Sequence, residues 1–362
     1  MMVVTSKFSK TMRRTKRILL ILTLVGLFAS PSVFAQSRVG TSAAPFLTMG
    51  VGAKALALGH ANTVNSSGAE ALFWNPAAIS LENEGGTRSS GFITVNQLFV
   101  DVSAYASGLV IPVSESGNQR FGIGINYVDY GRMDVYTVEL QEGTGATFGA
   151  HDLSIGLSYA QNLTESFYFG GTAKVVQQKI YDMHAETFAF DFGFVLQTEY
   201  LNGMRIGAAI SNFGGNMQMS GINSEYQIDI DPSSDGNNVN IPSRLYMDKW
   251  ALPLSFKFGL AIPAIKKDNL QWLLLADAQQ TNDNDLNIDS GTELSYLSKT
   301  VRFHARAGYK DLFLGDQVDS HLSYGAGFNL RTSTGIAIGV DFAQVPFNYL
   351  GQTTIVDLKL YF

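Results

Sequence analysis

Past residue 88 the chain alternates. In Phe188-Ala-Phe-Asp-Phe-Gly-Phe-Val-Leu196 the residues Phe188, Phe190, Phe192, Phe194 and Leu196 share one face of an extended strand, and Ala189, Asp191, Gly193 and Val195 share the other. The same grammar recurs in 121–127, 153–159, 252–260, 301–309 and 322–330, each time with small or polar residues opposite the large ones. Read along its length, the pattern predicts fourteen strands near 90–99, 102–113, 119–129, 150–161, 167–178, 186–199, 203–213, 252–263, 269–279, 288–297, 300–310, 321–331, 335–344 and 353–362.

A soluble β-sandwich also alternates, so periodicity alone leaves two architectures open. The connections separate them. Those after even-numbered strands are turn-like: 114–118, 162–166, 201–202, 266–268, 298–299 and 332–334. Most of those after odd-numbered strands are longer, including 130–149, 311–320 and a Gly-, Asn-, Ser- and Asp-rich insertion at 214–251. A sandwich has no reason to keep that parity, whereas a transmembrane antiparallel β-barrel has short turns at one end and long loops at the other. The last strand alternates through Thr354, Val356, Leu358 and Leu360 to Phe362. It resembles the carboxy-terminal signal read by the machinery that folds outer-membrane barrels.

Composition fits a wall that is greasy outside and wet inside: 15% charged residues, 12% aromatics and 36 glycines, yet a mean hydropathy of only +0.07. The first thirty-five residues differ. Lys7, Lys10, Arg13, Arg14, Lys16 and Arg17 precede the apolar run from Ile18 to Phe28, and Val33 and Ala35 place small side chains before Gln36. That is a signal-peptide pattern with cleavage expected before Gln36, and it implies export. The run is short for a spanning helix, and Pro31 closes it. The net charge of −6, with no basic cluster beyond the leader, excludes the footprint of a nucleic-acid binder. With no cysteine there are no disulfides, thiolate metal sites or thiol nucleophiles.

Residues 36–88 do not alternate. They contain Ala43-Ala-Pro-Phe-Leu-Thr-Met-Gly-Val-Gly-Ala-Lys-Ala-Leu-Ala-Leu-Gly59 and Ala69-Glu-Ala-Leu-Phe-Trp-Asn-Pro-Ala-Ala78. These runs, and Trp74-Asn75-Pro76-Ala77 above all, resemble the amino-terminal signature of the PorV/PorQ family, which is related to the FadL-type outer-membrane transporters. Physically the segment suits a plug. Gly50, Gly52 and Gly59 permit tight bends, Ala69 to Phe73 can form one helical turn, and Pro76 limits any helix to residues before Asn75. Trp74 either gates a path or packs the plug against the wall. Three parts result: leader 1–35, plug 36–88 and barrel 89–362, the last carrying the long outer loop 214–251.

If the large apolar residues face lipid, the strand from 300 to 310 sends Arg302, His304, Arg306 and Lys310 into the lumen, where Lys174, Asp191, Asp277, Asp341, Asp357 and Lys359 join them. A structural salt-bridge lattice is the first expectation, and a ligand track the alternative. Two acidic runs, Asp229, Asp231 and Asp235, and Asp283, Asp285, Asn287 and Asp289, have the alternate oxygens that Ca²⁺ requires. The second fails as an EF-hand loop, with Ile288 at the required glycine and Leu294 at the bidentate glutamate, and solvated outer loops are the expectation for both runs. Neither a cofactor, a metal site nor a catalytic residue is expected, because no nucleophile elbow, phosphate-binding loop or zinc-protease motif occurs.

The resemblance to PorV and PorQ implies a binding and scaffolding role in type IX secretion. Secreted cargo bearing C-terminal sorting domains would dock on loop 214–251, beside other secretion components and outer-membrane lipid. The relation to FadL implies the alternative, passive passage of a hydrophobic small molecule or lipid. That alternative expects an apolar pocket beneath the outer loops, touched by Phe213, Met217 and Met219.

Overall fold

The computed structural model describes residues 40–81, 89–114, 116–231, 233, 240–312, 322–347 and 351–362. The leader with its expected cleavage site, the first residues of the plug, and Asp235 lie outside the described residues.

Fourteen strands build the wall: β1 (Ser90–Gln97), β2 (Ser103–Pro112), β3 (Gln119–Asp134), β4 (Thr147–Asn162), β5 (Phe167–Ile180), β6 (Met183–Gln197) and β7 (Arg205–Gly214) precede the long insertion. Within it lie five short strands, β8 (Asn216–Met217), β9 (Ser220–Gly221), β10 (Glu225–Ile228), β11 (Ile241–Arg244) and β12 (Trp250–Ala251). The wall resumes with β13 (Ser255–Lys267), β14 (Leu270–Thr281), β15 (Asn284–Leu297), β16 (Val301–Tyr309), β17 (Leu322–Arg331), β18 (Ala337–Phe347) and β19 (Gly351–Tyr361). Each wall strand pairs antiparallel with its neighbours, β7 meets β13 across the insertion, and β1 pairs with β19 from Ser90↔Tyr361 to Gln97↔Thr354. This pairing closes the sheet and leaves the wall no free edge.

The alternation sorts side chains as expected. Phe188, Phe190, Phe192, Phe194 and Leu196 are exposed on the outer face, while Ala189, Asp191 and Val195 are buried inside. The long connections, 135–146, 215–254 and 310–321, all lie at one end, here called the loop end. Three other connections there are shorter than expected, one of them between Phe347 of β18 and Gly351 of β19. β5 runs into β6 through Tyr181 and Asp182 alone, and β14 into β15 through Asn282 and Asp283. The second acidic run is therefore not an outer loop: Asn287 and Asp289 are buried residues of β15. Polar composition favours a loop only where the backbone has no ladder partner, and here Asn287 pairs with Gln279 and Asp289 with Asp277.

Inside the barrel sit residues 40–81. They form one short helix, α1 (Ala53–Ala57), and 3-10 turns at Pro45–Thr48, Gly68–Phe73 and Pro76–Ser80. Leu58, Val64, Ala71 and Ile79 are wholly buried and share a cluster with Phe92, Val110 and Val195 of the wall. The barrel therefore has a packed core built from its own chain.

Candidate functional site: a hatch seated in the lumen

Pro76 has a second part to play beyond ending the helical turn before Asn75. It ends the 3-10 turn Gly68–Phe73 at Trp74 and also starts the next one, Pro76–Ser80, at the first-turn position where a missing N–H costs nothing. Asn75 caps that turn, its Oδ1 accepting from Ala77 N at 3.1 Å. The same side chain donates Nδ2 to Thr63 O at 3.1 Å within the hatch and to Phe194 O of β6 at 3.3 Å. The Asn-Pro pair lies directly on the wall, because Gly170 of β5 and Gly193 of β6 face each other in register beneath it. A Cβ on Gly193 would come within 2.0 Å of Asn75 Oδ1, and one on Gly170 within 2.5 Å of Pro76 C and O. A second glycine pair, Gly291↔Gly308 across β15 and β16, receives the hatch backbone at Leu58 and Gly59 in the same way. Gly59 itself takes φ +63, and Gly50 and Gly52 take φ +77 and +95, values that side-chain-bearing residues rarely adopt.

The lumen charges meet the hatch and one another. Lys359 Nζ lies 2.6 Å from hatch Glu70 Oε2 and 2.8 Å from Asp341 Oδ2. Arg306 bridges Glu293 and Asp341 at 2.5 Å each. Asp357 accepts Ala53 N at 2.7 Å, which satisfies an orphan donor in the first turn of α1 and places negative charge at its positive end. Asp277 likewise accepts Thr63 N at 2.8 Å. Lys174 pairs with Asp191 at 2.8 Å. His304 contacts Ser295 Oγ at 2.8 Å and Asn329 Nδ2 at 3.2 Å, both across neighbouring strands. Arg302 occupies the same face nearer the short-turn end. This is a lattice that holds a hatch. Glu293, Glu70 and Arg120, which donates to Ile79 O and Leu81 O, are members that sequence reasoning did not single out.

Trp74 is 3% exposed and donates Nε1 to Val51 O at 2.8 Å. Its ring carries Lys257 Nζ at 4.5 Å from the centroid, and His60 meets it edge-on at 5.8 Å. On the loop-end side of His60 opens a cavity of about 670 Å³. Hatch residues Met49 and Leu56 line it opposite the connection Leu98–Val102 and the strand ends at Val345 and Phe347. Phe99 and Phe347 meet edge to face at its rim, 5.0 Å between centroids. Val100, in that connection, takes φ +52 although it is β-branched, a strained conformation.

The expected pocket residues lie elsewhere. Met217 and Met219 line no part of that cavity and pack instead with Phe46, Val176 and Leu252. Phe213 faces outward. Counting by twos from Gly207 places it in the lumen, but β7 bulges opposite Asp191, between the pairs Phe192↔Ile210 and Phe190↔Phe213. The extra residue, Asn212 at φ +65, turns Phe213 to the outer face beside Phe190. Among the described residues no group of acidic or histidine side chains is arranged to hold a metal ion.

Burial, then Lys310 and Lys257, push the pKa of hatch residue His60 well below the ordinary 6.5. Asp311, at the end of the same cavity, accompanies Lys310 at 3.6 Å. A released hatch would return His60 to water and to its ordinary value. At His60 the released form then binds more protons below pH 6.5, so the contribution of this residue to seating is complete above that pH and weakens as pH falls through the window beneath it. From about pH 7.5 to about pH 5, limited proteolysis of the hatch is expected to gain more speed in the unmodified protein than in a variant without this imidazole. His60→Asn, which tolerates φ +72, should flatten the profile. The same pH profile in the unmodified protein and in His60→Asn would contradict this.

No protein-family model matches the sequence, and no curated protein does. Solved structures do. The CymD monoaromatic hydrocarbon channel is similar with a TM-score of 0.55 at 12% identity, over 86% of this chain and 96% of that one. The P. putida toluene transporter TodX gives 0.52 at 12%, over 86% and 96%. A Pseudomonas aeruginosa FadL homologue gives 0.53 at 10%, over 86% and 97%. At such identities the likeness is one of fold: a closed fourteen-stranded antiparallel barrel of the FadL type. The FadL side of the sequence resemblance is thereby supported, and its PorV/PorQ side gains nothing from these neighbours.

Proposed function

We propose that this protein is an outer-membrane channel that passes hydrophobic small molecules and is closed in this state by its own hatch. The observation that carries the reading is the cavity of about 670 Å³ between hatch and wall, lined chiefly by apolar side chains and placed at the loop end where a solute would arrive. The outer face of exposed Phe, Leu, Ile and Val matches a bilayer interior, and the neighbours include a hydrocarbon channel and a toluene transporter. Cargo docking in type IX secretion, the other role that the sequence resemblance implies, draws no support from the cavity or from these neighbours.

Val345→Trp is the direct test, because it fills the cavity from the wall without touching the hatch lattice. Binding of a neutral fluorescent hydrocarbon to the protein in nanodiscs should weaken by about tenfold or more, the equivalent of about 1.4 kcal/mol. Unchanged binding would place the solute elsewhere. Loss of surface-attached secreted protein on deleting 215–251, with solute uptake intact, would instead favour the cargo role.

A further inference from the structure

Beneath Trp74 lies a second cavity, polar and of about 70 Å³, between the hatch and the lumen faces of β3–β7, β13 and β14. Three charged side chains line it: Lys174, Asp191 and Lys257. Lys174 is matched, at 2.8 Å from Asp191 and 2.6 Å from Asn212 Oδ1. Lys257 is not. Among the described residues no carboxylate lies within salt-bridge distance of its ammonium, and its one close partner is the face of Trp74. Asp277 on the adjoining strand lies outside the cavity lining and gives its Oδ2 to Thr63 N. Two ammonium groups and one carboxylate leave the lining with one net positive charge.

A second group points the same way. Ser255, two residues before Lys257 on the lumen face of β13, is 3% exposed and lines the cavity, yet its Oγ has no hydrogen-bond partner. A part-buried ammonium with no carboxylate in contact is costly, since Asp277, Asp289 and Asp191 attract it only from a distance and an indole face offsets only part of the cost. A buried hydroxyl without a partner adds a further penalty. One small acceptor anion would satisfy both.

We propose that this cavity is a site for a single small monovalent anion, of halide or formate size, accepting from Lys257 Nζ and Ser255 Oγ and holding Trp74 of the hatch in place. The volume admits such an ion and excludes an acyl chain, so the site is separate from the apolar cavity and does not depend on the transport reading. Crystals grown in bromide should show an anomalous peak against Lys257 Nζ, and a cavity holding only water would overturn the proposal. In solution, Trp250→Phe with Trp272→Phe leaves Trp74 as the sole indole among the three in the chain. Replacing gluconate by bromide at constant ionic strength should then quench its emission saturably, and Lys257→Gln should lose the saturable component. Quenching that stays linear, or that survives Lys257→Gln unchanged, would also overturn it. If that variant fails to fold, the anomalous measurement on the unmodified protein still decides.

Discussion

Oxidised Leu72→Cys/Gly124→Cys protein is expected to lose solute uptake by about 100-fold or more and to recover it on reduction, because a covalent bridge removes the open population on which flux depends. The geometry suits the bond. Leu72 Cβ lies 3.5 Å from the position a Cβ on Gly124 would occupy, inside the spacing of about 3.5–4.5 Å that a disulfide requires. Leu72 belongs to the hatch turn Gly68–Phe73 and Gly124 to wall strand β3, so the bridge ties the one to the other. The chain has no cysteine of its own, which leaves the engineered pair no wrong partner. Uptake into vesicles of a neutral aromatic hydrocarbon, before and after reductant, gives the readout. If uptake continues with the bridge formed, the solute leaves the apolar cavity without hatch movement, and the hatch is a permanent plug.

The wall was legible because burial on one side only imposes a period of two, and a one-residue slip would turn every phenylalanine of β6 into the lumen. Parity of the connections pointed the same way through 135–146, 215–254 and 310–321, although 181–182 and 282–283 are as short as the turns at the other end. The hatch was legible as a segment without alternation, and Trp74-Asn75-Pro76-Ala77 as its sharpest element. What the sequence hid were contacts made at long range by small residues. Gly170 and Gly193 read as ordinary strand glycines until their register places both under Pro76 and Asn75. Phe213 faces outward for a local reason: the bulge at Asn212 reverses the phase of β7, and only a residue tolerant of positive φ hints at it. The apolar cavity itself draws on Met49 and Leu56 from the hatch, Phe99 from one connection and Phe347 from the end of β18, positions no local pattern unites.

That hidden register gives the second large effect. Gly193→Val should unseat the hatch while leaving the barrel closed. Its new Cβ would fall 2.0 Å from Asn75 Oδ1 and 3.2 Å from Pro76 Cδ, and neither can retreat while Asn75 keeps its bonds to Phe194 O and Thr63 O. Overpacking of this kind costs about 1–3 kcal/mol, and the lost cap and side-chain bonds add about 1 kcal/mol each. A sum of about 4 kcal/mol shifts the seated-to-released ratio by about a thousandfold. The ladder between β5, β6 and β7 uses backbone groups alone and should survive. The variant is therefore expected to fold as a heat-modifiable barrel whose hatch is cut by protease within residues 40–81, and to conduct ions in planar bilayers where the parent protein does not. Gly91→Val is the control, since its Cβ would face outward with Leu360 Cβ, 4.0 Å away, as its nearest neighbour. A Gly193→Val protein with a protease-resistant hatch and no conductance would show that the Asn-Pro element is not what seats the hatch on the wall.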